Sequence, residues 1–135
     1  MHPSGPYARP AITAVLGAAA LAFFAASPAW AQDRTPDQKK EMLDLAYVLG
    51  EAHGLKQACA PDDQTWRERM QRMLEVEAPD ADFEARLTTR FNDGFTARHA
   101  QYPKCDPRAA RLEAKIAAQG EALAKALAKE PASAP

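Results

Sequence analysis

Serine is almost missing from the part of this chain that reads as a folded domain, and its absence removes a class of chemistry. Ser4 and Ser27 lie in or beside an N-terminal apolar segment and Ser133 in the last few residues. No serine therefore stands where a neighbouring base would activate it as a nucleophile. β-branched aliphatic residues are scarce too: after Gln32 they are Val48, Val76 and Ile116. Strands need such residues, or aromatics, in alternation, and aromatics make up 7% of the chain. An all-α fold follows. Glycine after Gln32 is confined to Gly50, Gly54, Gly94 and Gly120, each inside a helical pattern. No glycine-rich phosphate loop is left, and these positions read as places of close helix–helix approach. A charge of one sign is also lacking. Residues 32–135 carry 16 Lys+Arg (the chain's 17 less Arg9) and 18 Asp+Glu, a balance of −2. The signs are interspersed as on a solvated helical surface, which excludes an electrostatic nucleic-acid binder.

The one long apolar run, residues 11–26, follows a short segment carrying Arg9 and precedes Ala29-Trp30-Ala31. Small residues at −3 and −1 are what a signal peptidase requires. The run is about 16 residues, short of the roughly 20 a spanning helix needs, and Pro28 follows it. Residues 1–31 are read as a cleaved secretory signal rather than a retained anchor. With no twin-Arg pair and no cysteine near Ala31, the expected route is the general secretory one and no lipid anchor is expected. The mature chain would start at Gln32 in the periplasm, without membrane insertion after cleavage.

Four helices are predicted in residues 32–129. Thr35-Pro36-Asp37-Gln38 combines an N-cap, a proline at N1 and the third-position Gln of a capping box. Met42, Leu45, Ala46, Leu49 and His53 then repeat at helical spacing up to about Cys59. Asp62 or Asp63 caps a second helix with Trp66, Met70, Met73, Leu74 and Glu77 on one face, ended by Ala78-Pro79. Asp80 caps a third, with Phe83, Leu87, Phe91, Gly94, Phe95 and Tyr102 along one side. Asp106-Pro107 opens the fourth, striped by Leu112, Ile116, Leu123 and Leu127. Residues 130–135 read as a disordered tail. Short loops between helices of similar length favour an antiparallel, up-down-up-down four-helix bundle. In that topology Cys59 and Cys105 fall at the same pole, where a structural disulfide is expected; a redox or metal-ligand pair is the alternative.

Candidate chemistry is sparse. Glu77 sits on an apolar stripe at a helix C-terminus, where the dipole disfavours its charge. An ion pair with Arg86 or Arg90 is expected there rather than a catalytic acid. Arg67 is expected to pair near Asp62 or Asp63, and Trp66 with Met70 and Met73 to lie in the core. His53 precedes Cys59 by six residues and His99 precedes Cys105 by six, so the imidazoles would stand at similar height if the cysteines meet. Together with Met70 and Met73 they are the candidates for a small ligand or a soft metal. No His-x-x-x-His or Glu-x-x-His pattern supports a metal site, and no cofactor and no catalytic residue is expected.

An ordered set of motifs runs through the domain: Leu49-Gly50-Glu51 with His53, Cys59, Trp66-Arg67-x-x-Met70, Glu77-x-Pro79, Phe91-Asn92-x-Gly94-Phe95, Tyr102-x-x-Cys105, and Gly120 in the last helix. In this the chain resembles a small exported alphaproteobacterial family of unknown function, over about residues 43–127. Arg98, His99 and Gln119 depart from that pattern. The resemblance implies a periplasmic helical domain with a disulfide and no established activity. From the expected location and the chemistry that the sequence lacks, the expected function is a non-enzymatic adaptor binding another cell-envelope protein. The alternative is a small-ligand or metal-binding protein using His53 and His99.

Overall fold

The structure, a computed structural model, describes residues 33–129. The expected signal peptide (1–31) and tail (130–135) lie outside the described residues. Four helices make up most of what is described: α1 (Pro36–Cys59), α2 (Thr65–Glu77), α3 (Ala81–Gln101) and α4 (Pro107–Lys129), with no strand among the described residues. The fold is all-α and bundle-like, as expected.

Local chemistry starts these helices. The Thr35 hydroxyl accepts from the Gln38 backbone N–H at 3.2 Å, and the Gln38 side chain accepts from the Thr35 N–H at 3.0 Å. This reciprocal box satisfies two donors that the helix itself leaves unpaired. Asp80 accepts from the Phe83 N–H at 2.8 Å, and Asp106 from the Arg108 N–H at 2.8 Å. α2 differs from expectation. Its N-cap is Gln64, whose side chain makes no capping bond. Asp63 instead accepts from the Thr65 N–H at 2.9 Å, serving the helix from one position earlier. α2 ends at Glu77, capped by Ala78 in a left-handed conformation (φ 42°, ψ 55°) before Pro79 blocks continuation.

α1 is the hub. From Val48 to Leu55 every residue is buried, so this half of the helix has no solvated face. α3 packs on it most extensively, then α4, then α2. Lys39 lies by Phe83, Asp44 by Arg90, and Glu51 by Arg98, so positions on α1 and α3 rise together and the two helices are parallel. α4 runs the other way: Gly120 faces Val48 and Lys56 meets Glu113. So does α2, with Gln57 bonded to the Asp63 carbonyl and Arg34 paired with Glu77. The directions are those of an up-down-up-down bundle. The tightest pair, however, is the parallel one, and glycine is the reason. A Cβ on Gly50 would fall on the carbonyl of Phe91, and one on Gly94 on the carbonyl of Tyr47. Each helix thus lays a glycine against the other's backbone.

Candidate functional site

α2 and α4 both pack on α1 while making little contact with each other, and a groove of about 1090 Å³ opens between them. Met42, Leu45 and Leu49 of α1 belong to its floor. The α2 wall is Trp66, Arg69, Met73 and Val76, one helical face, with Val76 64% exposed. The α4 wall is built from small residues: Ala114, Ala117, Ala124 and Ala128, broken by Glu121. Alternate spacings of three and four put these on one stripe of α4. At the Trp66 end, the indole Nε1 donates to Glu113 Oε1 at 2.9 Å, Lys56 Nζ lies 3.4 Å from the same oxygen, and the Arg69 guanidinium covers the ring at 4.6 Å. Trp66 is thus core on one side and groove wall on the other.

The opposite end holds Glu77, and here the expected partners are corrected. Glu77 pairs with Arg34, not with Arg86 or Arg90. Arg34 Nε and Nη2 donate to the two carboxylate oxygens at 2.7 and 2.6 Å, a bidentate fork between side chains only 8% and 12% exposed. Arg34 Nη1 also donates to the Leu127 carbonyl on α4 at 3.3 Å. The hydrogen bonds to Glu77, and then its charge, raise the pKa of Arg34 against the opposing effect of burial. Arg34 just precedes the α1 N-cap, and α2, running antiparallel, ends at that same pole. Arg86 and Arg90 belong to α3 and turn elsewhere: Arg86 lies over Phe83 at 5.8 Å, and Arg90 over Tyr47 at 4.5 Å with Asp44 4.0 Å away.

Cys59 and Cys105 form the expected disulfide, with Cα atoms 4.5 Å apart, and both residues are exposed. His53 is 6% exposed, its ring 5.7 Å from Phe91 and 5.4 Å from Phe95. Burial pushes its pKa down, and the positive charge of Arg67 pushes the same way against a weaker pull from Asp63. His99 is exposed and stacks on the other partner of that ring system, Phe95, at 5.3 Å. The two histidines share an aromatic neighbour, but the smaller cleft between α2 and α3 that His53 lines does not include His99. Met70 faces that cleft while Met73 faces the α2–α4 groove, so the two thioethers do not converge with the imidazoles. No group of three or more His, Cys, Asp or Glu is placed to hold a metal among the described residues. Arg67 also departs from expectation. It makes no ion pair with Asp62 or Asp63 among the described residues and lines the cleft instead.

Sequence reasoning passed over Glu51 and Arg98 as a pair. Glu51 is 7% exposed on the hub helix, and Arg98 Nε and Nη2 reach its Oε1 at 2.9 and 2.8 Å. The signal was a carboxylate inside a stretch of apolar and small residues, which demands a cation from another element.

The model of a family described as a protein of unknown function (DUF2385) matches residues 37–130 of the chain. No curated protein and no solved structure matches it.

Proposed function

The chain belongs to that family of unknown function, and from its geometry we propose that it is a non-enzymatic, exported helical adaptor. It binds an amphipathic helix of another cell-envelope protein in the groove between α2 and α4. The observation that carries this reading is the groove itself, with its apolar floor, a wall of alanines on α4 and cationic Arg69 and Arg72 along α2. Small residues let a second helix approach closely, and an apolar groove takes the apolar face of an amphipathic helix. The two arginines complement acidic residues flanking that face. The disulfide fits an oxidising compartment, in line with the periplasmic, alphaproteobacterial character that the motif set implies. A non-catalytic role is supported by the disulfide that occupies both cysteines and by the lack of any serine within residues 33–129.

Site-specific photo-cross-linking tests this reading in the producing cell. A photoreactive residue at the exposed Ala118, which lines the groove, is expected to yield one discrete adduct with an envelope protein. Val76→Asp, a change at an exposed wall position, is expected to abolish the adduct while leaving the helical circular dichroism unchanged. An equal adduct from the exposed Asp93 on α3, or none from Ala118, overturns the groove as the binding face.

A further inference from the structure

On the other side of α2 from the groove, the structure carries a second and chemically different concavity. We propose that the cleft between α2 and α3 binds a small organic anion, a carboxylate borne on an apolar body. The proposal does not rest on the α2–α4 groove.

The cleft is about 310 Å³, near the lower limit of sites that enclose a small molecule. Its polar lining is His53, Arg67, Gln71, Thr88 and Asn92, and no acidic residue belongs to it. Arg67 is exposed and has no ion-pair partner among the described residues. A guanidinium with an open fork at the mouth of a cavity without carboxylates selects an anion, and a planar carboxylate fits that fork in bidentate fashion. Gln71, Thr88 and Asn92 add neutral donors beside it.

Below them stands His53. It is more than nine-tenths buried, and its Nδ1 is buried without any hydrogen-bond partner. Native interiors pair nearly all such atoms; this one is closed even to water, so the imidazole has to turn in the cleft wall before a ligand can answer it. The rest of the wall is apolar: Met70 and Leu74 from α2, Phe91 and Phe95 from α3. The imidazole already lies 5.7 and 5.4 Å from the two phenyl rings, and the flat apolar body of a ligand would find the same surfaces. An inorganic anion would leave these rings unused, and a neutral apolar molecule would leave Arg67 unanswered.

Titration of the disulfide-bonded protein with benzoate, followed by NMR at the His53 ring and the Asn92 side-chain amide, tests the site. Saturable shifts at both groups are expected in the millimolar range or below, with benzamide and inorganic phosphate each weaker by at least about tenfold. Arg67→Gln is expected to weaken benzoate by about tenfold or more. It should leave thermal unfolding unchanged, because Arg67 is exposed and has no ion-pair partner among the described residues. Arg111→Gln, an exposed change on α4, should have no effect on binding. The proposal is overturned if benzoate does not saturate the two groups, if benzamide or phosphate binds as well as benzoate, or if Arg67→Gln binds like the unaltered protein.

Discussion

At the scale of single residues, His53 ties stability to pH. Its folded pKa lies below the ordinary 6.5, first because it is buried and then because Arg67 on α2 repels a second positive charge; Asp63 opposes weakly. The unfolded chain therefore binds a proton near pH 6.5 that the folded protein still refuses, and stability rises with pH wherever the unfolded state holds more protons. The contribution is fully present above pH 6.5 and is lost as pH falls from there to the folded value. Denaturant unfolding between pH 7.5 and 5.5 should show that decline. His53→Gln should remove it; an unaltered slope in His53→Gln would refute the assignment. The same scale shows what the sequence could disclose. Thr35, Asp80 and Asp106 were legible as helix starts because a cap acts within three residues of itself. The Arg34–Glu77 fork spans 43 positions, and only the way α2 returns to the start of α1 brings the two together. Arg86 and Arg90 were nearer along the chain to Glu77 and pointed elsewhere.

At the scale of elements, the helices could be read from apolar spacing, but the status of α1 could not. A stripe describes a helix with one covered side, and α1 is covered on several, so Glu51 and Gly54 are as buried as Leu49. The glycines announced close approach without announcing which helices meet. Their contacts now separate them. Alanine in place of glycine inside a helix ordinarily gains about 0.5–1 kcal/mol. At Gly50 and Gly94 the added Cβ would meet backbone of the partner helix, which no rotamer change can relieve. Gly50→Ala and Gly94→Ala should therefore destabilise by about 1–3 kcal/mol or more. At Gly120 the nearest atom is a side-chain methyl, Val48 Cγ1, at 3.2 Å, and Gly120→Ala should be close to neutral. Comparable losses at all three positions, measured by denaturant midpoints, would contradict the backbone-to-backbone account of the α1–α3 pair.

At the scale of the whole molecule, the hub helix is clamped at both ends by different chemistry. Arg34, Glu77 and the Leu127 carbonyl join the α1 entrance to α2 and α4. The Cys59–Cys105 bond joins its exit to the segment between α3 and α4. The position of that bond was legible because Cys59 ends α1 and Cys105 lies between α3 and α4, at the pole that the connectivity predicts. Its closeness to a parallel helix pair was not, because sequence spacing orders helices along the chain and leaves their mutual packing open. Both cysteines are exposed, so replacing them removes little packed volume. The expected loss is then the loop-closure entropy of a cross-link spanning 46 residues, about 4 kcal/mol at most. That is a large part of the roughly 5–15 kcal/mol that holds a domain folded. Cys59→Ala, Cys105→Ala and the double variant should lower the unfolding free energy about equally, because each removes the same constraint. Reduction of the unaltered protein should match them. A double variant clearly less stable than either single one would mean that the side chains contribute packing of their own. If reduction left stability unchanged, the clamp at this pole would lie elsewhere, in the parallel contact of α1 with α3.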